Sequence, residues 1–129
     1  MLPWYGAPIW IELREDGIRY QERKFWKGIY PTFFREDSIN IPKGEPKFIP
    51  IENITFIGRG KDEGRAAINY KPVKKTEYLF MKDNIQIQPE LVADILDWYR
   101  NNAPPGQSIE FWEVSLMKTD KQTIRGENV

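Results

Sequence analysis

The chain has no cysteine and no histidine among its 129 residues. Without Cys there is no disulfide, no thiolate nucleophile and no zinc–thiolate site. Without His the commonest general base and the commonest transition-metal ligand are both missing, so a Ser–His–Asp triad and a Cys–His pair are excluded. What chemistry remains belongs to carboxylates, Lys and Tyr. Charge of one sign is also lacking: 19 Lys and Arg face 19 Asp and Glu. That argues against a general binder of nucleic acid or anionic membrane, which carries a basic excess. No run approaches the ~20 apolar residues of a membrane span. Met1–Trp10 lacks the basic start of a signal peptide, so a cytoplasmic location is expected for the chain as given. No internal repeat or low-complexity tract is found.

One stretch organises what is there. Over Pro89–Asn101, Leu91, Val92, Ile95, Leu96, Trp98 and Tyr99 follow the i, i+3, i+4, i+7 spacing of a broad apolar stripe, with Glu90, Asp94, Asp97 and Asn101 opposite. Pro89 suits the first turn, and Glu90 and Arg100 sit at the favourable ends of the helix dipole. Asn101-Asn102 and Pro104-Pro105-Gly106 stop the helix. The stripe is expected to be core, with Leu91, Ile95 and Trp98 buried.

The other segments read as strands. Ile9, Ile11 and Leu13 alternate with Trp10 and Glu12, then Asp16-Gly17 signals a turn, and Ile18 and Tyr20 alternate with Arg19 and Gln21. Pro8–Lys24 is therefore a β-hairpin. Further strands are expected over Ile29–Arg35, Ser38–Ile41, Ile49–Ile57 with a kink near Asn53, Arg65–Tyr70 and Thr76–Met81. Lys43–Lys47, Gly58–Gly64 and Lys82–Gln88 read as loops or turns. Ile109–Met117 alternates again, as a strand or extended segment with no evident partner, and Lys118–Val129 is polar and expected to be disordered. The resulting organisation is an N-terminal arm (1–7), a domain (8–103), an extra strand or extended segment (104–117) and a tail (118–129). The fold class is α+β: an antiparallel barrel, or two orthogonal sheets, of six or seven strands capped by one C-terminal helix.

Three features resemble the small bacterial pleckstrin-homology-like domains: Asp16-Gly17-Ile18 in the opening hairpin, Ile49-Pro50-Ile51-Glu52-Asn53-Ile54 in the middle, and Tyr78-Leu79-Phe80-Met81 followed by the helix. The resemblance covers residues 8–102. It implies a binding module without catalysis or cofactor, in a family that binds phosphoinositides, peptides or proteins, or serves in assembly. The first hairpin turn, Arg14-Glu15-Asp16-Gly17, carries two acids against one base where lipid-binding members cluster bases.

Two groups of residues are candidates for function. Between Arg59 and Lys75 six bases stand against Asp62 and Glu63. Arg59, Lys61, Arg65, Lys74 and Lys75 are the candidate anion site, for phosphate, a lipid headgroup or nucleic acid. The 18 aromatic residues exceed what one small barrel hides. Trp4, Tyr5, Phe111 and Trp112 are the candidate interface, for a protein partner or a second copy of the chain. Trp26, Tyr30, Phe33 and Phe34 offer stacking to single-stranded bases, with nucleic acid the weaker reading because no basic groove accompanies them. Asp94 and Asp97, one helical turn apart, would be the carboxylate pair of a small enzyme, although their face is polar throughout. No metal-ligand spacing is found.

Overall fold

The computed structural model of the chain describes residues 7–23, 41–61, 64–71 and 84–129. The first hairpin forms as its alternation dictates. β1 (Trp10–Arg14) and β2 (Gly17–Gln21) pair antiparallel around Glu15-Asp16. Ile11 lies opposite Tyr20 and Leu13 opposite Ile18, which makes one face apolar. Glu12 lies opposite Arg19 on the other face. β3 (Lys47–Pro50) adds antiparallel to β2 and completes a three-stranded sheet in the order β1-β2-β3. Gly17 is required by close approach, since a Cβ there would stand 2.1 Å from the Ile49 carbonyl oxygen.

A single 3-10 turn, Ile51–Asn53, leads from β3 into β4 (Ile54–Gly60) of a second sheet. The kink expected near Asn53 is this turn, together with a register shift between Ile54 and Phe56. β5 (Ala66–Tyr70) and β6 (Asn84–Ile87) follow antiparallel. The chain then passes through a 3-10 turn at Pro89–Leu91 into α1 (Val92–Asn102), and returns as β7 (Ser108–Val114) and β8 (Thr119–Arg125). The five-stranded order is β6-β5-β4-β7-β8. β7 runs parallel to β4, and therefore also to β6, so α1 is the crossover of a β6–α1–β7 unit.

One apolar cluster joins the two sheets and the helix. Ile18, Tyr20 and Ile49 come from the small sheet; Ile54, Ile57, Ile68, Ile85, Ile87, Ile109, Phe111 and Ile124 from the large one; Val92, Ile95, Leu96, Trp98 and Tyr99 from the helix. Ile95 and Trp98 are buried as the stripe predicts, and Leu91 is half-buried at its edge. Trp98 Nε1 donates to the Arg14 carbonyl at 2.7 Å and so ties the helix to the first hairpin.

Among the described residues, the α+β class, the two sheets and the one α-helix, which is C-terminal, agree with the sequence reading. Several finer expectations do not. Among the described residues there are eight strands rather than six or seven, neither sheet closes on itself, and the β4–β7 pair is parallel. Gly58, Arg59 and Gly60 are strand rather than loop, and Asn84–Ile87 is strand rather than turn. The strand expected within residues 104–117 forms as β7, and it lies inside the large sheet between β4 and β8 rather than as an extra beside the domain.

The tail is not disordered either. β8 contributes Ile124 to the core, and a strand at a sheet edge with one solvated face needs few apolar residues. Beyond it, the N–H groups of Glu127 and Asn128 donate to the Arg100 and Ala103 carbonyls at 2.7 and 3.0 Å. Those bonds satisfy acceptors that the end of a helix leaves without partners. Gly126 permits that approach, since a Cβ there would lie 2.3 Å from the carbonyl oxygens of Ala103 and Pro104. The expected strands Ile29–Arg35 and Thr76–Met81 lie outside the described residues, as does all of the arm 1–7 except Ala7 and all of Ser38–Ile41 except Ile41. Among the described residues, no helix is long and apolar enough to cross a membrane.

Candidate functional site

Strand alternation gives each sheet a core face and an outer face, and the two outer faces differ. On the small sheet, Trp10, Glu12, Arg19 and Phe48 share the outer face, with Arg19 opposite both Glu12 and Phe48 in register. Trp10 is 38% exposed and Phe48 43% exposed. The Arg19 guanidinium sits 5.5 Å from the Trp10 ring centre and 3.9 Å from Glu12 Oε2. Phe48 lies over Gly17, its ring edge 2.7 Å from where a Cβ of that glycine would be. Arg14 and Asp16 form a second ion pair at the turn, at 3.6 Å. The result is an aromatic face threaded with balanced charges, open to solvent.

On the large sheet the aromatics are held from within. Trp112 stacks on Phe56 with ring centres 4.2 Å apart and planes at 19°. Gly58 lies opposite Trp112 in β4, so no side chain separates the two rings. The Trp112 indole N–H donates to Glu110 at 2.6 Å, and the Lys121 ammonium lies 4.3 Å from its ring centre. Phe111 points to the opposite face and is buried in the core. Of the interface candidates named from sequence, Phe111 is therefore a core residue. Trp112 is half-buried and bonded within its own sheet, and Trp4 and Tyr5 lie outside the described residues.

The basic candidates fare similarly. Arg59 reaches Glu113 at 3.2 Å and lies over the Phe111 ring, and Lys61 reaches Asp120 at 3.1 Å. Lys118 shares Asp120 at 3.4 Å. The two ammonium groups hold the Asp120 carboxyl below its usual range. Arg59 and Lys61, two of the five bases that sequence grouped as an anion site, are thus paired with acids of β7 and β8, strands that the sequence reading set apart. Arg65 is exposed, and Lys74 and Lys75 lie outside the described residues. Asp94 and Asp97 are exposed, and Asp97 pairs with Arg100 at 3.1 Å. Among the described residues, no three carboxylates converge as a metal site would require.

Two tyrosines are perturbed, and burial is the largest cause for each. Desolvation first, and then a hydrogen bond with Tyr70, hold the Tyr20 phenol well above its ordinary range. Burial also raises Tyr99. Gln107 stands close enough to Tyr99 to offset part of that rise, but its amide is committed to the Ile51 carbonyl at 2.9 Å, and the Tyr99 hydroxyl is left without a partner.

Sequence reasoning missed Phe48, which it left beside a loop. Trp10 was visible as the outward residue of the first strand's alternation but went unremarked. Leu116 and Met117, at the tip of the β7–β8 hairpin, are 94% and 95% exposed. Their turn is closed by paired bonds between Ser115 and Lys118. No protein-family model, curated protein or solved structure matches this chain.

Proposed function

We propose that the protein is a non-catalytic binding and assembly module, and that its binding surface is the outer face of the three-stranded sheet. The observation that carries this is the exposure of Trp10 and Phe48 side by side around Arg19. Aromatic residues and Arg are the types enriched where proteins meet, and large exposed apolar groups on a sheet face mark such surfaces. Catalysis has little to work with here, because the chain has neither His nor Cys and the perturbed tyrosines are in the core.

The partner the face fits is a second copy of the chain. Glu12 and Asp16 balance Arg14 and Arg19, so the face has no net charge and each sign finds its opposite on a twofold-related copy. Three strands of about five residues span only about 14 Å by 17 Å. That is far below the roughly 800 Å² per partner of a standard interface, so the association is weak and concentration-dependent. A pleckstrin-homology-like relationship fits this reading through the two sheets and the C-terminal helix. The parallel β7 is what such a domain would have to accommodate.

Sedimentation velocity over a dilution series tests the proposal. The weight-average mass is expected to rise above 15.3 kDa as concentration increases. Phe48→Ser and Arg19→Ala should each hold it at the monomer value while keeping the far-UV spectrum. A parent chain that stays monomeric throughout, or variants that associate as the parent does, would overturn it.

A further inference from the structure

We infer that the start of the β4–β7–β8 ribbon carries a second binding site, for a neutral polyhydroxyl group such as a single sugar ring. This goes beyond the assembly reading and does not rest on it, because the two sites lie on different sheets. A cleft of about 320 Å³ opens there, lined by Thr55, Phe56, Ser108, Ile109, Glu110 and Thr123. That volume is at the small end of ligand sites and suits one small molecule.

The backbone is specialised at this point. Ile54 pairs with Tyr70 and Phe56 with Asn69, so Thr55 is the extra residue of a bulge in β4. Bulges re-aim side chains and recur beside functional sites. The Thr55 hydroxyl is buried and has no hydrogen-bond partner. An orphaned buried hydroxyl costs stability, and Thr55 is also one of the residues that line the cleft.

The lining decides the class of ligand. It offers three hydroxyls, one carboxylate and one aromatic ring. Glu110 is oriented by the indole N–H of Trp112, which leaves its other oxygen to accept from a ligand. Glu110 is the one charged group of the lining, and its carboxylate disfavours an anion. With three hydroxyls around it, the lining serves a neutral ligand that donates to Glu110 and exchanges hydrogen bonds with the hydroxyls. The ring of Phe56 gives such a ligand's C–H face an apolar wall. Lys121, one pair further along β8, is held over Trp112.

The test is an ¹⁵N-correlation titration of the full chain with methyl glycosides, myo-inositol and glycerol, using sodium acetate and ethylammonium chloride as ionic controls at constant ionic strength. The expected result is saturable movement of the Thr55, Glu110 and Thr123 amides and the Trp112 indole with a neutral polyol, and none with either ion. Tighter binding of a methyl glycoside points to a glycan as the source, and tighter binding of inositol or glycerol to a free polyol; either result supports the site. Glu110→Gln keeps the acceptor for Trp112 and is expected to weaken binding roughly tenfold. Thr55→Val is expected to weaken it by a similar factor while leaving the melting temperature unchanged or higher, because it removes an unpartnered buried hydroxyl. The proposal is overturned by the absence of saturation with every neutral polyol, by larger shifts with either ion, by variants that titrate like the parent, or by a Thr55→Val protein of lowered melting temperature.

Discussion

Trp10 and Trp112 are the same residue in the same kind of place, the outer face of an antiparallel pair, yet their surroundings are opposite. Trp112 has a ring beneath it, a cation above it and a carboxylate on its N–H. Trp10 has one guanidinium nearby and 38% of its surface in water. An aromatic residue whose needs are met within its own sheet belongs to the fold. One left open, beside a second open aromatic, belongs to what the fold binds. Residue type alone does not separate the two cases; the neighbours supplied by the next strand do.

The largest expected effect comes from removing what completes the large sheet. Deletion of residues 119–129 strips β8, Ile124 and the bonds to the helix end. The loss is expected to be on the order of the ~5 kcal/mol that marks the low end of whole-domain stability, so the truncated chain should show no cooperative thermal transition by circular dichroism. The small sheet has no counterpart to this among the described residues, where Trp10 and Phe48 of its outer face stay exposed.

Next come single residues. Ile95→Ala should cost about 2–5 kcal/mol in denaturant melts, as a fully buried aliphatic does. Trp112→Ala should cost about 2–3 kcal/mol, from lost burial and a lost aromatic pair. Trp10→Ala should cost less than about 1 kcal/mol and act on association instead. Equal costs for the two tryptophans would break the comparison. Leu116→Ser with Met117→Ser should change stability by no more than about 0.5 kcal/mol, since both side chains are already in water.

A pH series sharpens the account of the core. The fold holds the Tyr20 and Tyr99 phenols above their ordinary range, so the native state keeps protons that the unfolded chain releases near pH ~10. Stability is therefore complete below about pH 10 and falls as the pH rises beyond it. Urea melts between neutral pH and about pH 11 should show that fall. Tyr20→Phe should flatten it.

Local pattern carried much of this fold and little of its pairing. The helix and the first hairpin were legible because their periodicity is strong and short-range, down to the Asp16-Gly17 turn. The kink at Asn53 was legible from Ile51, Ile54 and Ile57 breaking alternation. The parallel β4–β7 pair was not, because it joins residues 54 positions apart, as Ile57 and Phe111 are, and alternation is silent on partners. The same blindness applies to charge partners. The acids that pair with Arg59 and Lys61 stand on β7 and β8, 54 and 59 positions along the chain, where a count of local charge does not reach. Thr55 could be suspected only as part of a kinked strand, since an orphaned hydroxyl is a property of packing.

The most direct test of the difference between the two faces is to follow the indole N–H resonances of Trp10 and Trp112 while the protein is diluted. The account predicts that Trp10, with the amides of Arg19 and Phe48, shifts with concentration while Trp112 and Lys121 stay fixed. Movement confined to β7 and β8, or no movement at any concentration, would contradict it.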